Sequence, residues 1–236
     1  MRELFKNSED NYEIEVEMEI DENEKTFPWL FSLFISFDLE NQVQEKIEEF
    51  LEMKESIILT LEKSSLVKYV GQRSIDGWVE LYFYSLNSKN LQKAISQYLS
   101  ASKLMFEHGV VRDTKWDFYT ANLLPSELEF CMMESKKIVD LLVEEGDKIT
   151  ILREVEHYSM FDTATQKQRF IGLALEEGFI FKDDISTDEC EHGVALLKVH
   201  NLEDTSLNAV IKDLYTLTKK EHGSYELWST TLVESE

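Results

Sequence analysis

The sequence is poor in the residues that most often announce chemistry. Its 236 residues hold two cysteines, Cys131 and Cys190. Neither has a Cys-x-x-Cys companion, so a disulfide scaffold is not expected and free thiols in a reducing cytoplasm are. Eight glycines are scattered along the chain. There is no Walker loop and no Gly-x-Gly-x-x-Gly, and a phosphate-cradling loop is hard to assemble from so few. Gly-x-Ser-x-Gly is missing as well. Basic residues are scarce: 24 Lys and Arg stand against 47 Asp and Glu, a net charge of −23. Nucleic acid and anionic membrane are held by Lys and Arg contacts, so this balance argues against either as a direct ligand. Long apolar runs are absent too. The greasiest, Phe27 to Phe37, is too short to span a bilayer as a helix. The first residues, MRELFKNSEDNYEIEVEMEI, lack the uninterrupted apolar core of a signal peptide. A cytoplasmic protein is expected, with no membrane contact.

What is present is ample apolar material, 43% of the chain, written in short periodic phrases. Tyr12 to Ile20 alternates strictly between apolar residues and glutamates, the mark of a strand with one buried and one acidic face. Phe27–Phe37 reads as a strand buried on both faces. Asp38 then reads as an N-cap, followed by a helix through Leu61, with a strand at IILTL as the competing assignment. Leu66–Arg73 and Trp78–Ser85 flank Asp76-Gly77, a tight hairpin turn. Leu86–Phe106 reads as a second helix with Gly109 near its end. Lys115–Asn122, KWDFYTAN, reads as the closing strand.

The second half repeats this order. Pro125 and Ser126 open a helix to about Glu145, stopped by Gly146. Strand Thr150–Phe161 follows, then a helix capped by Asp162 and ended by Gly178. Strands Gly178–Lys182 and Gly193–His200 come next. Helix Asp204–Glu221 leads to a last strand, Tyr225–Leu232. KWDFYTAN and SYELWSTT, about half the chain apart, would be the last strands of two similar units. The expected fold is therefore α+β, with two tandem ferredoxin-like (βαββαβ) domains, residues 1–123 and 124–236, antiparallel sheets and helices on one face. Charge is shared between them. Residues 1–123 hold 23 acids and 13 bases, and 124–236 hold 24 and 11, so neither half is an acidic tail.

Three stretches of the second half carry a resemblance: Glu156-His157 within REVEHYSMF, then FIGLALEEGFIFKDD with Gly178-Phe179, then YELWSTTL with Trp228. Here the chain resembles the RraB family, protein regulators of ribonuclease E activity. The first half, through YVGQRSIDGWVELYFYS and DTKWDFY, resembles an uncharacterised bacterial domain family found ahead of RraB-like domains. Stand-alone RraB proteins lack that first unit. The resemblance implies a compact α+β module that inhibits or tunes another protein by binding it.

The residues themselves offer three functional readings. The first is a non-catalytic regulator that docks a basic protein surface, and the resemblance implies a ribonuclease as one candidate partner. Its contact residues would be Glu154, Glu156, Asp183, Asp184 and Glu226, with electrostatic steering that weakens in salt. The second is a hydrolase-type enzyme using Glu156 and His157 in a cleft between the domains. Against it, a strand points the two side chains to opposite faces, which favours a core histidine. The third is a dimerisation module, and a homodimer is compatible with the other two. Cys190, Glu191 and His192, with Asp183, Asp184, Asp188 and Glu189, form an acidic loop lacking the spaced ligand pairs of a zinc site. Neither metal nor cofactor is expected. Trp78, Tyr82 and Tyr84 share one strand face, a pattern seen in RNA-binding sheets. With so much negative charge around them, core packing is the favoured reading.

Overall fold

The computed structural model describes residues 2–10, 12–21, 23–63, 66–89, 91–102, 104–186 and 191–233. The chain forms two compact units, Met1–Pro125 and Ser126–Glu236. Both are mixed α+β with one antiparallel sheet each.

Unit 1 runs β1 (Arg2–Lys6), β2 (Glu13–Glu17), β3 (Trp29–Ser36), α1 (Gln44–Glu62), β4 (Val67–Ile75), β5 (Trp78–Ser85), α2 (Leu91–Ser102), β6 (Phe106–Arg112) and α3 (Asp117–Asn122). The sheet order is β1-β2-β4-β5-β3-β6. Phe31, Leu33 and Ile35 of β3 and Val79, Leu81 and Phe83 of β5 point to one face. There they meet Phe50, Ile57 and Ile58 of α1 and Ile95 and Leu99 of α2. Each fully buried side chain of this size contributes about 1.5–3 kcal/mol by leaving water. The hairpin between β4 and β5 turns on Asp76 (φ 50°) and Gly77 (φ 76°), the left-handed pair that a two-residue turn requires.

Unit 2 runs α4 (Glu127–Glu144), β7 (Arg153–Phe161), α5 (Ala164–Glu176), β8 (Ile180–Ile185), β9 (His192–His200), α6 (Asp204–Lys220) and β10 (Ser224–Thr230). The sheet order is β10-β7-β9-β8. Val155, Phe161, Val194 and Leu196 pack against Phe170 and Ala174 of α5, Ile211 and Leu214 of α6 and Val139 of α4, so all three helices lie on one face. A capping box opens α4. Ser126 Oγ accepts from Glu129 N (3.3 Å), and Ser126 N donates to Glu129 Oε2 (2.8 Å).

The principal correction concerns KWDFYTAN. It is not a strand. Asp117–Asn122 is helix α3, and the strand that closes unit 1 is β6, which contains Gly109. Two causes combine. Asp113 caps the helix, its carboxylate accepting from the backbone N–H groups of Asp117 (3.0 Å) and Phe118 (2.9 Å). The buried residues Trp116, Tyr119 and Leu123 then recur at helical spacing. SYELWSTT, by contrast, is indeed strand β10, so the two look-alike phrases do different work. Asp38 is no helix cap either. Its carboxylate accepts from Glu40 N and Asn41 N within its own loop, and α1 begins at Gln44 and runs unbroken through IILTL. Thr163, not Asp162, caps α5, accepting from Gln166 N. Strand β1 was not anticipated. Among the described residues, no helix is long and apolar enough to cross a membrane.

Candidate functional site

Alternation along β7 sorts its side chains. Arg153, Val155, His157, Ser159 and Phe161 are buried on the helix side, while Glu154, Glu156, Tyr158 and Met160 point to the opposite face. The register continues that second face across the sheet. One row is Ser229–Glu156–Leu197–Ile180, and the next is Leu227–Tyr158–Ala195–Asp183. None of α4, α5 and α6 packs there. Ile180 is 60% exposed and Val199 58%, and β8 is the edge strand, with Phe181 41% exposed.

The five acids expected to bind a partner are thus divided. Glu154, Glu156 and Asp183 share the helix-free face. Asp184 points the other way and pairs with Lys167 of α5, Nζ to Oδ1 2.7 Å. Glu226 sits at a bulge of edge strand β10, where it accepts from Ser224 Oγ at 2.8 Å. Glu156 is engaged as well. Lys182, lifted by a bulge in β8, forms a close ion pair with it, and Tyr158 donates to its other oxygen at 3.1 Å. The Lys182 hydrogen bond, with a smaller contribution from Tyr158, holds the Glu156 carboxyl below the usual carboxylate range. Asp183 and Glu154 have no ion-pair partner among the described residues, and both are exposed. Lys182, Tyr158, Ile180 and Val199 escaped the sequence reading. For Tyr158 a signal existed, because it follows Glu154 and Glu156 at period two.

His157 lies beneath this face, 1% exposed. Its Nδ1 is 2.9 Å from the Tyr225 hydroxyl and its Nε2 is 3.1 Å from His200 Nε2. His200 Nδ1 is 2.7 Å from the carbonyl oxygen of Asn201. A carbonyl only accepts, so His200 carries its proton on Nδ1 and offers Nε2 as an acceptor. His157 must then donate from Nε2 and accept the Tyr225 O–H at Nδ1. The result is one ordered chain of neutral groups. Burial is the main cause that pushes His157 down to about 3, with His200 and Lys198 adding to it, and burial also lowers His200 and raises Tyr225. His157 and Glu156 occupy opposite faces of the sheet, and both ring nitrogens of His157 are spoken for. They do not form an acid–base pair.

A second buried polar cluster fastens the loop ahead of β7. Arg153 Nη1 contacts Asp147 Oδ2 at 2.6 Å, and the same oxygen accepts from Val233 N at 2.8 Å. A buried pair so braced is costly to break from one side, because an uncompensated charge remains. Trp228 donates from Nε1 to Ser135 Oγ at 2.9 Å, tying β10 to α4. Asp188, Glu189 and Cys190 lie outside the described residues. Among those described, no group of three or more His, Cys, Asp or Glu side chains could hold a metal ion.

The fold and face define a two-unit α+β protein whose second unit leaves one sheet surface free of helices. Comparison with known families finds one match in each half. Residues 132–230 match the family described as Regulator of ribonuclease activity B, a span that begins inside α4 and ends with β10. Residues 36–124 match DUF695, a family of unknown function. No curated protein matches the chain. Among solved structures, the crystal structure of an unknown protein from Galdieria sulphuraria aligns over 84% of this chain and 96% of its own, at 9% identity and a TM-score of 0.24.

Proposed function

We propose that this protein is a non-catalytic regulator that acts by binding another protein, and that unit 2 docks a basic surface of a ribonuclease. The observation that carries the proposal is the family match over residues 132–230, which includes every strand of the unit 2 sheet and all five candidate acids. Three of those acids share a surface that no helix of the unit covers. The charge of −23 supports steering towards a basic partner and leaves RNA to be reached only through that partner. On this reading Glu154 and Asp183 meet the partner directly. Glu156 does so by exchanging Lys182 for a partner cation, and Asp184 and Glu226 contribute from the two edges. The setting is cytoplasmic. Both sheets are read as ferredoxin-like, supported by their shared order. Numbering the strands of each βαββαβ set from one to four, β6-β3-β5-β4 and β10-β7-β9-β8 both run fourth-first-third-second.

The test is cleavage of a fluorogenic RNA by a purified ribonuclease of the E type, with and without the full chain, at low and high salt. Cleavage should slow at low salt and recover at high salt. Reversing Glu154 and Asp183 to lysine together should weaken inhibition at least about tenfold. An unchanged rate and no measurable association at low salt would reject the ribonuclease reading.

A further inference from the structure

Unit 1 and unit 2 treat the same strand position differently. In the shared order, the second strand stands at one end of the four. In unit 1 that strand is β4, and it is not an edge. β2 pairs with it antiparallel, Glu13 opposite Ser74 through Val16 opposite Gly71, and β1 extends the sheet further. Gly71 (φ 153°) allows this close approach, since a Cβ there would lie 2.6 Å from the Glu15 carbonyl oxygen. In unit 2 the second strand is β8. It pairs with β9 alone among the described residues, and five of its six residues, Ile180 to Asp184, are exposed.

We infer that the outer edge of β8 is a strand-pairing site, which takes an extended basic segment of the protein partner as an added antiparallel strand. The inference rests on the regulator reading above and supplies its binding mode. Edge strands are normally blunted by charge and bulges. On β8 much of that defence is already engaged: Lys182 is bound to Glu156 and Asp184 to Lys167. What the edge offers outward is an apolar pair, Ile180-Phe181, then the bulge at Lys182, then two acids: Asp183, which has no ion-pair partner among the described residues, and Asp184, whose side chain stays 63% exposed beside Lys167 and can take a second cation. An antiparallel segment meets these in reverse order. It therefore reads, from its N-terminus, two basic residues, one spacer opposite the bulge, and two apolar residues. A second copy of β8 is the wrong occupant. Centred antiparallel self-pairing sets Asp183-Asp184 against Ile180-Phe181 of the other copy, which desolvates carboxylates against apolar side chains. It also brings together two chains of −23.

The probe is a capped peptide of two lysines, a serine and two valines in that order, titrated into the full ¹⁵N-labelled chain. Amide shifts and slowed exchange should map to β8 and β9. The same peptide in reverse order, and one N-methylated at alternate residues, should each bind at least about tenfold more weakly. Ile180→Lys should abolish binding without changing the thermal midpoint, because Ile180 is exposed. Equal binding of forward and reversed peptides would overturn strand pairing while leaving an acidic docking surface intact. No binding of any peptide, or shifts mapping elsewhere, would overturn it as well. So would a concentration-dependent dimer dispersed by Ile180→Lys, since that result assigns the edge to a second copy. Binding as expected alongside a negative ribonuclease assay would keep the edge site and reject the ribonuclease as partner.

Discussion

The two sheets share a strand order and differ in what covers them. In unit 1 the face away from α1 and α2 is aromatic: Tyr82 and Tyr84 of β5 lie there with Leu30 of β3. Left bare, it would expose a large apolar surface. Trp116 stacks on Tyr84 (centroids 3.9 Å apart, rings 9° from parallel) and donates from Nε1 to the Phe27 carbonyl at 3.0 Å. Phe118 packs on Tyr82, and the Tyr119 hydroxyl donates to the Glu17 carbonyl at 2.7 Å. In unit 1 the strands added beside β4 are held by charge as well as by backbone. Lys54, almost wholly buried in α1, lies 3.6 Å from both Glu15 of β2 and Glu55, and Arg2 of β1 reaches Glu55 at 2.9 Å. In unit 2 the corresponding face carries Glu154, Glu156, Tyr158 and Val199, mixed enough in polarity to face water, and among the described residues β8 pairs with β9 alone. One strand order thus serves two ends. Where the outer face is aromatic unit 1 buries it with its own helix, and where it is mixed the helices of unit 2 leave it uncovered.

Substitutions at matching places should separate these two regimes. The largest effect is expected from Trp116→Ala, which removes a buried ring and its hydrogen bond from the α3 cover. Unit 1 should lose about 3–5 kcal/mol, read by denaturant-dependent hydrogen exchange at β5 amides, with β7 and β9 amides unaffected. A loss under about 1 kcal/mol would show that α3 is dispensable and the contrast empty.

Next comes pH. The unfolded chain protonates His157 below about 6.5, whereas the folded one resists until about 3. The unfolded state therefore binds more protons in that window, and unit 2 should weaken as pH falls through it. The slope from this group is at most about 1.4 kcal/mol per pH unit. His157→Phe should flatten the slope for unit 2, at some cost in stability at neutral pH. An unflattened slope would remove His157 as the acid-sensitive group. The smallest effect belongs to the bare face. Val199→Ser should change unit 2 stability by no more than about 0.5 kcal/mol, because none of α4, α5 and α6 covers it. A larger loss would mean that the face is part of the core.

Much of the fold was readable from local pattern. The alternation of REVEHYSMF placed Glu154 and Glu156 on one face and His157 on the other. Asp76-Gly77 marked its hairpin, and the helix ending at Gly178 was found nearly to its last residue. The failures share a cause. KWDFYTAN alternates like a strand, but its aromatics are satisfied by groups far along the chain, Phe27 and Glu17, which a local window cannot see. Within the candidate site, the opposed directions of Asp183 and Asp184 follow from simple alternation. The Glu156–Lys182 pair does not, because the bulge that brings Lys182 into reach is created by the pairing with β9.

Composition and short-range spacing by themselves set the charge balance, the scarcity of thiols and the positions of most strands, helices and turns, because these depend on a residue and its near neighbours. Only the tertiary structure decided that one of two look-alike phrases coils into a helix, and which sheet face each unit covers with its own helices. Those outcomes depend on whether distant parts of the chain supply a surface to bury against, and unit 1 has such a surface where unit 2 has none of its own.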